Sequence, residues 1–228
     1  MFLKLFLLVA LVFSFGCKST STKVNLNADT SIAVKICNQV WMSKNLSINH
    51  YNNGDIIPQI KNPAQWANLT TGAWCWYNND SEKYAIYGKL YNFYAVNDER
   101  GLAPNGWHIA TDAEWNTLIK CIDNNADTFY QGYQITRAGG KLKERGLSHW
   151  TNPNTGADDD YGFTALPGGN RDEYGAFTYI ESIGHWWSSS KFDSLTAWYR
   201  YLHYSSNDIV RFGCGNKKYG FSVRCIKD

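Results

Sequence analysis

The chain opens with a short apolar run and then turns polar. Leu5–Phe15 is an uninterrupted stretch of mostly apolar residues, and the basic Lys4 precedes it. A helix that crosses a bilayer needs roughly 20 such residues, so this run is too short to span a membrane. A basic residue followed by a short apolar run is typical of a signal peptide. The pattern therefore predicts an exported protein.

The residues after the apolar run resemble the lipobox of bacterial lipoproteins, with the small Gly16 directly before Cys17. Ser14 and Phe15 depart from the usual pattern. The resemblance implies a signal peptide over residues 1–16, cleavage before Cys17 and a thioether-linked lipid on that cysteine. An ordinary secretory signal followed by an unmodified cysteine is the alternative.

The polar stretch that follows has no hydrophobic periodicity, which favours a flexible tether over residues 17–33 and a folded domain over residues 34–228. Membrane lipid is then the partner at Cys17. We expect the protein to be lipid-anchored in the cell envelope, with the outer membrane the favoured site. Because Lys18 and Ser19 follow the anchor, the sequence leaves the leaflet open.

Within the domain, three local patterns predict elements. Two apolar runs around Cys37-Asn38 predict a hairpin over residues 31–43. Asn62 followed by Pro63 is typical of a helix start. Thr111 and Glu114 form a capping-box pattern, and the apolar positions after it recur at helical spacing, which predicts a helix that ends near Asp123. The apolar face is made of Trp115, Leu118, Ile119 and Ile122.

The rest of the domain has weaker patterns. A second helix is predicted over residues 127–137, ended by Gly139-Gly140. Residues 146–175 are rich in Gly, Asn, Asp and Pro, which predicts a long loop region. Residues 177–226 contain several short runs with strand character. The order of elements indicates one α+β domain.

The composition is that of a globular protein and limits the classes of partner that we expect. Hydrophobic residues make up 44% and charged residues 18%, which is unlike a disordered chain. The net charge is only +2 and no basic run occurs, so nucleic acid is not expected as a partner. Aromatic residues reach 16%, enough to fill a core and leave some rings for sugar or peptide contacts.

Several stretches carry a resemblance to a known family, the Fibrobacter succinogenes major paralogous domain (FISUMP). These stretches are VKICNQVWMSKNL (34–46), GAWCWYNND (72–80), YGKLYNFYAVNDERGLAPNGWHIATDAEW (87–115), AGGKLKE (138–144), GFTALPGGNR (162–171), WWSSS (186–190) and GFSVRC (220–225). The resemblance implies a C-type lectin-like fold, shared with the formylglycine-generating sulfatase modifiers, with two helices, short antiparallel strands and long loops. The family is typical of secreted proteins and lipoproteins and has no firmly assigned activity.

The same resemblance suggests a disulfide pattern. Cys75 and Cys225 lie where the family commonly has cysteine, whereas Cys37 and Cys214 look like additions. The hypothesis is therefore one bridge from Cys75 to Cys225 and another from Cys37 to Cys214, with Cys121 free. An exported compartment permits such bridges, and other pairings of these five cysteines stay open.

The sequence offers no catalytic motif: GxSxG, HExxH, CxxC, the P-loop and GxGxxG patterns are all missing. We therefore assign no catalytic residue. The best metal candidate is Asp158, Asp159 and Asp160, because hard carboxylate oxygens suit Ca²⁺. The alternative for these residues is a solvated acidic loop. The sugar-binding Ca²⁺ motif of C-type lectins is missing, so sugar binding bridged by Ca²⁺ is not expected.

Tryptophans are the other candidate, since their rings stack on sugars and peptides. The candidates are Trp74, Trp76, Trp186 and Trp187. On a regular strand only one of Trp186 and Trp187 points inward, so the other is expected at the surface. The alternative is that these rings fill the core.

Together these observations predict a non-enzymatic envelope lipoprotein that binds carbohydrate or an envelope protein. Two rival functions remain. One is an enzyme related to the sulfatase modifiers, which would rest on fold analogy. The other is a purely structural component of the envelope.

Overall fold

The structure is a computed structural model that describes residues 23–24 and 33–228. The predicted signal peptide, Cys17 and most of the tether lie outside these residues. The helices are α1 Pro63–Ala67, α2 Ser81–Tyr84, α3 Phe93–Val96, α4 Asp112–Ile122 and α5 Ala138–Leu142. The strands are β1 Lys23–Val24, β2 Ala33–Ile36, β3 Gln39–Met42, β4 Trp74–Cys75, β5 Leu90–Tyr91, β6 Trp107–Ile109, β7 Gly132–Gln134, β8 Gly168–Arg171, β9 Phe177–Ile180, β10 Ile183–Lys191, β11 Thr196–His203, β12 Ile209–Asn216 and β13 Cys225–Lys227. The described residues are therefore mixed α+β, as the sequence predicts.

The first sheet brings the two ends of the domain together. Its order is β1-β2-β3-β13-β6, so the last strand pairs with the early hairpin. Ile226 lies opposite Trp41 in antiparallel register. The hairpin β2–β3 turns at Cys37, whose φ is 51°, and Asn38. This confirms the predicted hairpin.

The second sheet is larger and has the order β7-β12-β11-β10-β8-β9. Three long strands, β10, β11 and β12, form an antiparallel centre, and β7 lies at one edge. A separate pair, β4 and β5, completes the strands of the described residues. The chain therefore offers one broad sheet with an open edge at β7.

Helix α4 confirms the capping-box prediction. Thr111 Oγ1 accepts the Glu114 amide at 3.2 Å, and the Glu114 carboxylate accepts the Thr111 amide at 2.8 Å. Trp115, Leu118 and Ile119 are buried, as the periodicity predicts. Helix α1 likewise begins as predicted, with the Asn62 side chain accepting the Gln65 amide.

The predicted helix over residues 127–137 is wrong. The chain there forms turns and the short edge strand β7. Gly139 and Gly140 do not end a helix but lie inside α5. Close backbone neighbours explain the two glycines. A Cβ at Gly139 would overlap the Asp208 carbonyl, and one at Gly140 would overlap the Gly156 carbonyl.

The predicted long loop is present over residues 146–167, which contain no helix or strand, but strand β8 lies in the last part of the predicted range 146–175. The ammonium of the buried Lys143 holds this loop against the second sheet. It donates to the carbonyls of Thr155 at 2.9 Å, His203 at 3.1 Å and Ser206 at 2.9 Å. One cation therefore satisfies three carbonyls that would otherwise need other donors.

The disulfide hypothesis is wrong. Cys37 is bridged to Cys121, with 6.7 Å between the Cα atoms. The packing explains this pairing, because Ile36 lies in the same core cluster as Leu118 and Ile119 of α4. The turn of the hairpin is thereby held beside the last turn of that helix.

The other three cysteines of the described residues are free. Cys75 and Cys225 are buried in different core clusters, and Cys214 is exposed on β12. Burial raises the pKa of Cys75 and of Cys225 to about 12. Both thiols therefore stay protonated at neutral pH.

Candidate functional site

The tryptophans of strand β10 are part of the core. Trp186 is 1% exposed and packs near Trp115, whereas Trp187 is fully buried beside Phe93. The expectation that one of the pair is exposed is therefore wrong. The reason is that β10 is an interior strand with a different hydrophobic cluster on each face.

Trp74 and Trp76 lie together, with 5.6 Å between their ring centroids. The cation that contacts both rings is the side chain of Lys89. The ammonium of Lys89 lies 3.8 Å from the centroid of Trp74 and 5.3 Å from that of Trp76. Burial lowers the pKa of Lys89 to about 8. These rings are therefore already engaged in cation–π contacts.

The three carboxylates of the acidic loop do not converge. The ammonium of Lys141 pairs with Asp160 and lies 3.7 Å from Asp158. Asp159 instead accepts both the amide and the hydroxyl of Thr164, each at 2.8 Å. Among residues 23–24 and 33–228, no group of three His, Cys, Asp or Glu side chains could hold a metal ion. The geometry gives no support for Ca²⁺ at these residues.

A groove at the open edge of the second sheet combines rings with polar side chains. We call it the tyrosine groove, and its volume is about 670 Å³. Its walls carry three aromatic and four polar side chains: Tyr130, Tyr133, Phe212, Asn125, Asp127, Gln131 and Gln134. Tyr130 is 57% exposed and Tyr133 is 50% exposed. This mixture of ring faces with amide and carboxylate groups suits a ligand that has both apolar faces and hydroxyl groups.

Local backbone geometry positions these rings. The Asp127 carboxylate accepts the amides of Phe129 and Tyr130, which fixes the turn before β7. Gly132 has a φ of 114°, and a Cβ there would lie 3.1 Å from the Tyr130 ring. Glycine is therefore needed both for the backbone and for the ring beside it.

The pleat of β7 places Tyr133 on the same face as rings of the neighbouring strands. Tyr133 lies opposite Val210 on β12, and its ring centroid is 6.3 Å from that of Tyr201 on β11. The Tyr201 ring is 6.2 Å from that of Phe212 and 6.4 Å from that of Tyr199. A row of half-buried rings thus extends from the groove across the sheet.

Hydroxyl groups add hydrogen-bonding capacity to this row. Burial raises the pKa of Tyr201, so its hydroxyl stays protonated and can both donate and accept. The same argument applies to Tyr199. The face can therefore contact a ligand through ring surfaces and through neutral hydroxyl groups.

Sequence reasoning missed this groove. The sequence predicts a helix over residues 127–137, although the aromatic residues Phe129, Tyr130 and Tyr133 favour a strand. The structure shows the alternation of a strand here, with Tyr133 exposed between buried Gly132 and Gln134. Pairing with β12 is nonlocal, so no pattern along the chain shows that Phe212 completes the site.

Comparison with protein families shows one match that covers nearly the whole domain. Residues 34–227 match the family described as Fibrobacter succinogenes major domain. The chain belongs to this family, which confirms the resemblance found in the sequence. No curated protein and no solved structure matches the chain. Within the residues that the structure describes, no helix combines the length and apolarity needed to cross a membrane.

Proposed function

We propose that the protein is a non-enzymatic carbohydrate-binding lipoprotein of the bacterial cell envelope. The observation that carries this proposal is the tyrosine groove, where exposed rings lie beside amide and carboxylate side chains. Sugars present apolar C–H faces to aromatic rings and hydroxyl groups to planar polar side chains. Protein surfaces rarely leave several large rings exposed together without a partner.

The proposed location rests on the sequence of the leader. The apolar run before Cys17 supports export, and the lipobox resemblance supports lipidation of that cysteine. We propose the outer membrane as the site of the anchor. A tether over residues 17–33 would then hold the domain away from the lipid surface.

The proposed fold is C-type lectin-like. Two features support it: the first and last strands of the domain lie in one sheet, and long loops separate the remaining elements. Such a scaffold can present a binding face without a catalytic group. The groove offers ring faces, amide groups and the carboxylate of Asp127 for such binding.

A glycan array tests the proposal. The purified protein is expected to bind at least one class of polysaccharide, and to do so equally with Ca²⁺ and with a chelator. Tyr133→Ala and Tyr130→Ala should each weaken binding by about tenfold, because one stacked ring contributes roughly 0.5–1.5 kcal/mol beyond its buried area. Tyr174→Ala is the matched control, since Tyr174 is 74% exposed and does not line the groove.

The outcomes separate the alternatives. Binding that persists in both groove variants would place the sugar site elsewhere. Binding that is lost on chelation would indicate a Ca²⁺ site, for which Asp158, Asp159 and Asp160 are the candidates. If no glycan on the array binds, either with Ca²⁺ or with the chelator, the result would contradict carbohydrate binding and favour a protein partner or a structural role.

A further inference from the structure

A second concave feature lies apart from the tyrosine groove and shares no lining residue with it. We call it the polar cavity, and its volume is about 300 Å³. Pockets of this size are at the small end of those that hold organic ligands. Its charged lining residues are Lys44, Glu144, Asp159 and Arg224. The charges of the two cations and the two carboxylates cancel, so the lining of the cavity favours a ligand without net charge.

Arg224 is the most deeply buried of these groups, with 1% exposure. Nη1 donates to the carbonyls of Met42 at 2.8 Å and Phe163 at 2.6 Å. Nε and Nη2 both donate to Asn45 Oδ1, at 3.1 and 2.9 Å. A guanidinium has five N–H bonds. One N–H of Nη2 therefore has no acceptor among the residues that the structure describes.

Asp159 is held in place by a strained pair of residues. Oδ1 accepts the Thr164 amide and Oδ2 accepts the Thr164 hydroxyl. Asp159 has a φ of 47° and Thr164 a φ of 52°, which is unusual for a β-branched residue. Such strain gathers at ligand sites, where the surrounding structure maintains it. Each carboxylate oxygen keeps a lone pair for one further donor.

His149 offers one more hydrogen-bonding atom. Its Nδ1 lies 2.8 and 2.9 Å from the two carboxylate oxygens of Glu144. This contact engages Nδ1 and leaves Nε2 as the ring nitrogen that can bond a hydroxyl group. Within residues 33–228 that nitrogen has no hydrogen-bond partner. The imidazole is thus oriented by Glu144 and retains one ring nitrogen for a ligand.

From these features we infer that the polar cavity binds a small neutral polyol, of the size of one monosaccharide or cyclitol. Arg224 retains one donor, Asp159 retains acceptors, and His149 retains one ring nitrogen that can bond a hydroxyl group. A hydroxyl group donates and accepts at once, so a ring of hydroxyls satisfies all three residues. This site is independent of the tyrosine groove and of the function proposed there.

An ionic ligand fits the same wall less well. Burial of a carboxylate or an ammonium costs several kcal/mol per ion unless the geometry of pairing is excellent. Arg224 cannot form a two-bond pair with a ligand carboxylate, because it has a single N–H left. Zwitterions and small carboxylates are therefore the control ligands, which we expect not to bind.

Calorimetric titration of the purified protein tests the inference. The polyol probes are glucose, galactose, mannose and myo-inositol, and the ionic probes are glycine and acetate. Ile86→Trp should block the cavity, because Ile86 lines its rim and is 57% exposed, so the change does not disturb the core. Leu147→Trp is the matched control, since Leu147 is 56% exposed and does not line the cavity.

A second variant changes a hydrogen-bonding group of the polar cavity without blocking the entrance. Asp159→Asn removes the charge but keeps an acceptor for Thr164, and asparagine tolerates the left-handed backbone. We expect at least one polyol to bind with one-to-one stoichiometry. Ile86→Trp and Asp159→Asn should each weaken it by about tenfold or more, whereas Leu147→Trp leaves it unchanged. The inference is overturned if no polyol binds, if glycine or acetate binds instead, or if polyol binding survives Ile86→Trp.

Discussion

Arg211 and Asp112 join the second sheet to the start of helix α4. Arg211 Nη2 donates to Asp112 Oδ2 at 2.7 Å, and Arg200 Nη1 donates to Asp112 Oδ1 at the same distance. The Arg200 side chain is fully buried, and the Arg211 guanidinium lies 3.6 Å from the centre of the Trp198 ring. One carboxylate thus compensates two cations that the fold has removed from water.

Loss of that carboxylate should destabilise the domain strongly. Asp112→Asn leaves both guanidinium groups without their counter-charge, and a broken buried pair typically costs about 3–5 kcal/mol. Urea unfolding measures the free energy of unfolding. The control is Asp158→Asn, because the Asp158 pair with Lys141 is exposed and should contribute less than about 1 kcal/mol. Equal effects of the two changes would show that the buried pair is not a main support of α4.

Stability should depend on the protonation of His108. Burial opposes the charged ring, but hydrogen bonds to Asp228 and Glu114 outweigh it and raise the pKa of His108 above 6.5. A raised pKa in the folded state means that the ring stabilises the fold below the unfolded pKa. The contribution is lost as the pH rises through the folded pKa.

The variant His108→Gln tests this dependence, since it leaves the capping box of Thr111 and Glu114 intact. The variant should be less stable than wild type at about pH 5.5 and nearly equal to it at about pH 9. Because the ring is partly exposed, the difference should be small. A difference that is constant over this range, or that grows with pH, would contradict the assignment.

Lys143 should contribute to the stability of the long loop over residues 146–167. Lys143→Met removes the donor from three carbonyl groups, and each buried group left unpaired costs roughly 1–3 kcal/mol. We expect a loss of a few kcal/mol in unfolding free energy and earlier proteolysis within the loop. Lys141→Met removes only a surface ion pair and should have little effect. Unchanged proteolysis of Lys143→Met would show that other contacts hold the loop.

Thiol labelling checks the cysteine arrangement. In the native domain Cys214 should react with a thiol reagent, because it is exposed, while Cys75 and Cys225 should react only after unfolding. Cys37 and Cys121 should become reactive only after reduction. Mass spectrometry of unreduced peptides should find the Cys37–Cys121 crosslink. A crosslink from Cys37 to Cys214 would contradict the structure.

The parts of the fold that the sequence predicts are those with local causes. The capping box of Thr111 and Glu114 and the start of α1 at Asn62 depend on neighbours within four residues. The surroundings of Trp186 and Trp187 depend on distant segments, so alternation along β10 could not show that both faces are covered. The bridge between Cys37 and Cys121 likewise follows from packing across 84 residues of chain.

The tyrosine groove also depends on segments that are distant in sequence, so the sequence alone does not predict it. Rings at Tyr130 and Tyr133 lie close in sequence, but Phe212 joins them only because β12 pairs with β7. The stretches that carry the family resemblance do not include the edge strand β7. Aromatic content predicts ring contacts with sugar, but of the tryptophans it suggests, Trp74, Trp186 and Trp187 are buried and Trp76 is half-buried.

The most direct test of the central claim is calorimetric titration of the purified protein with the glycan that binds best on the array. We predict saturable binding that Tyr133→Ala weakens by about tenfold and Tyr174→Ala leaves unchanged. Equal affinity of wild type and Tyr133→Ala would contradict a carbohydrate site in the tyrosine groove.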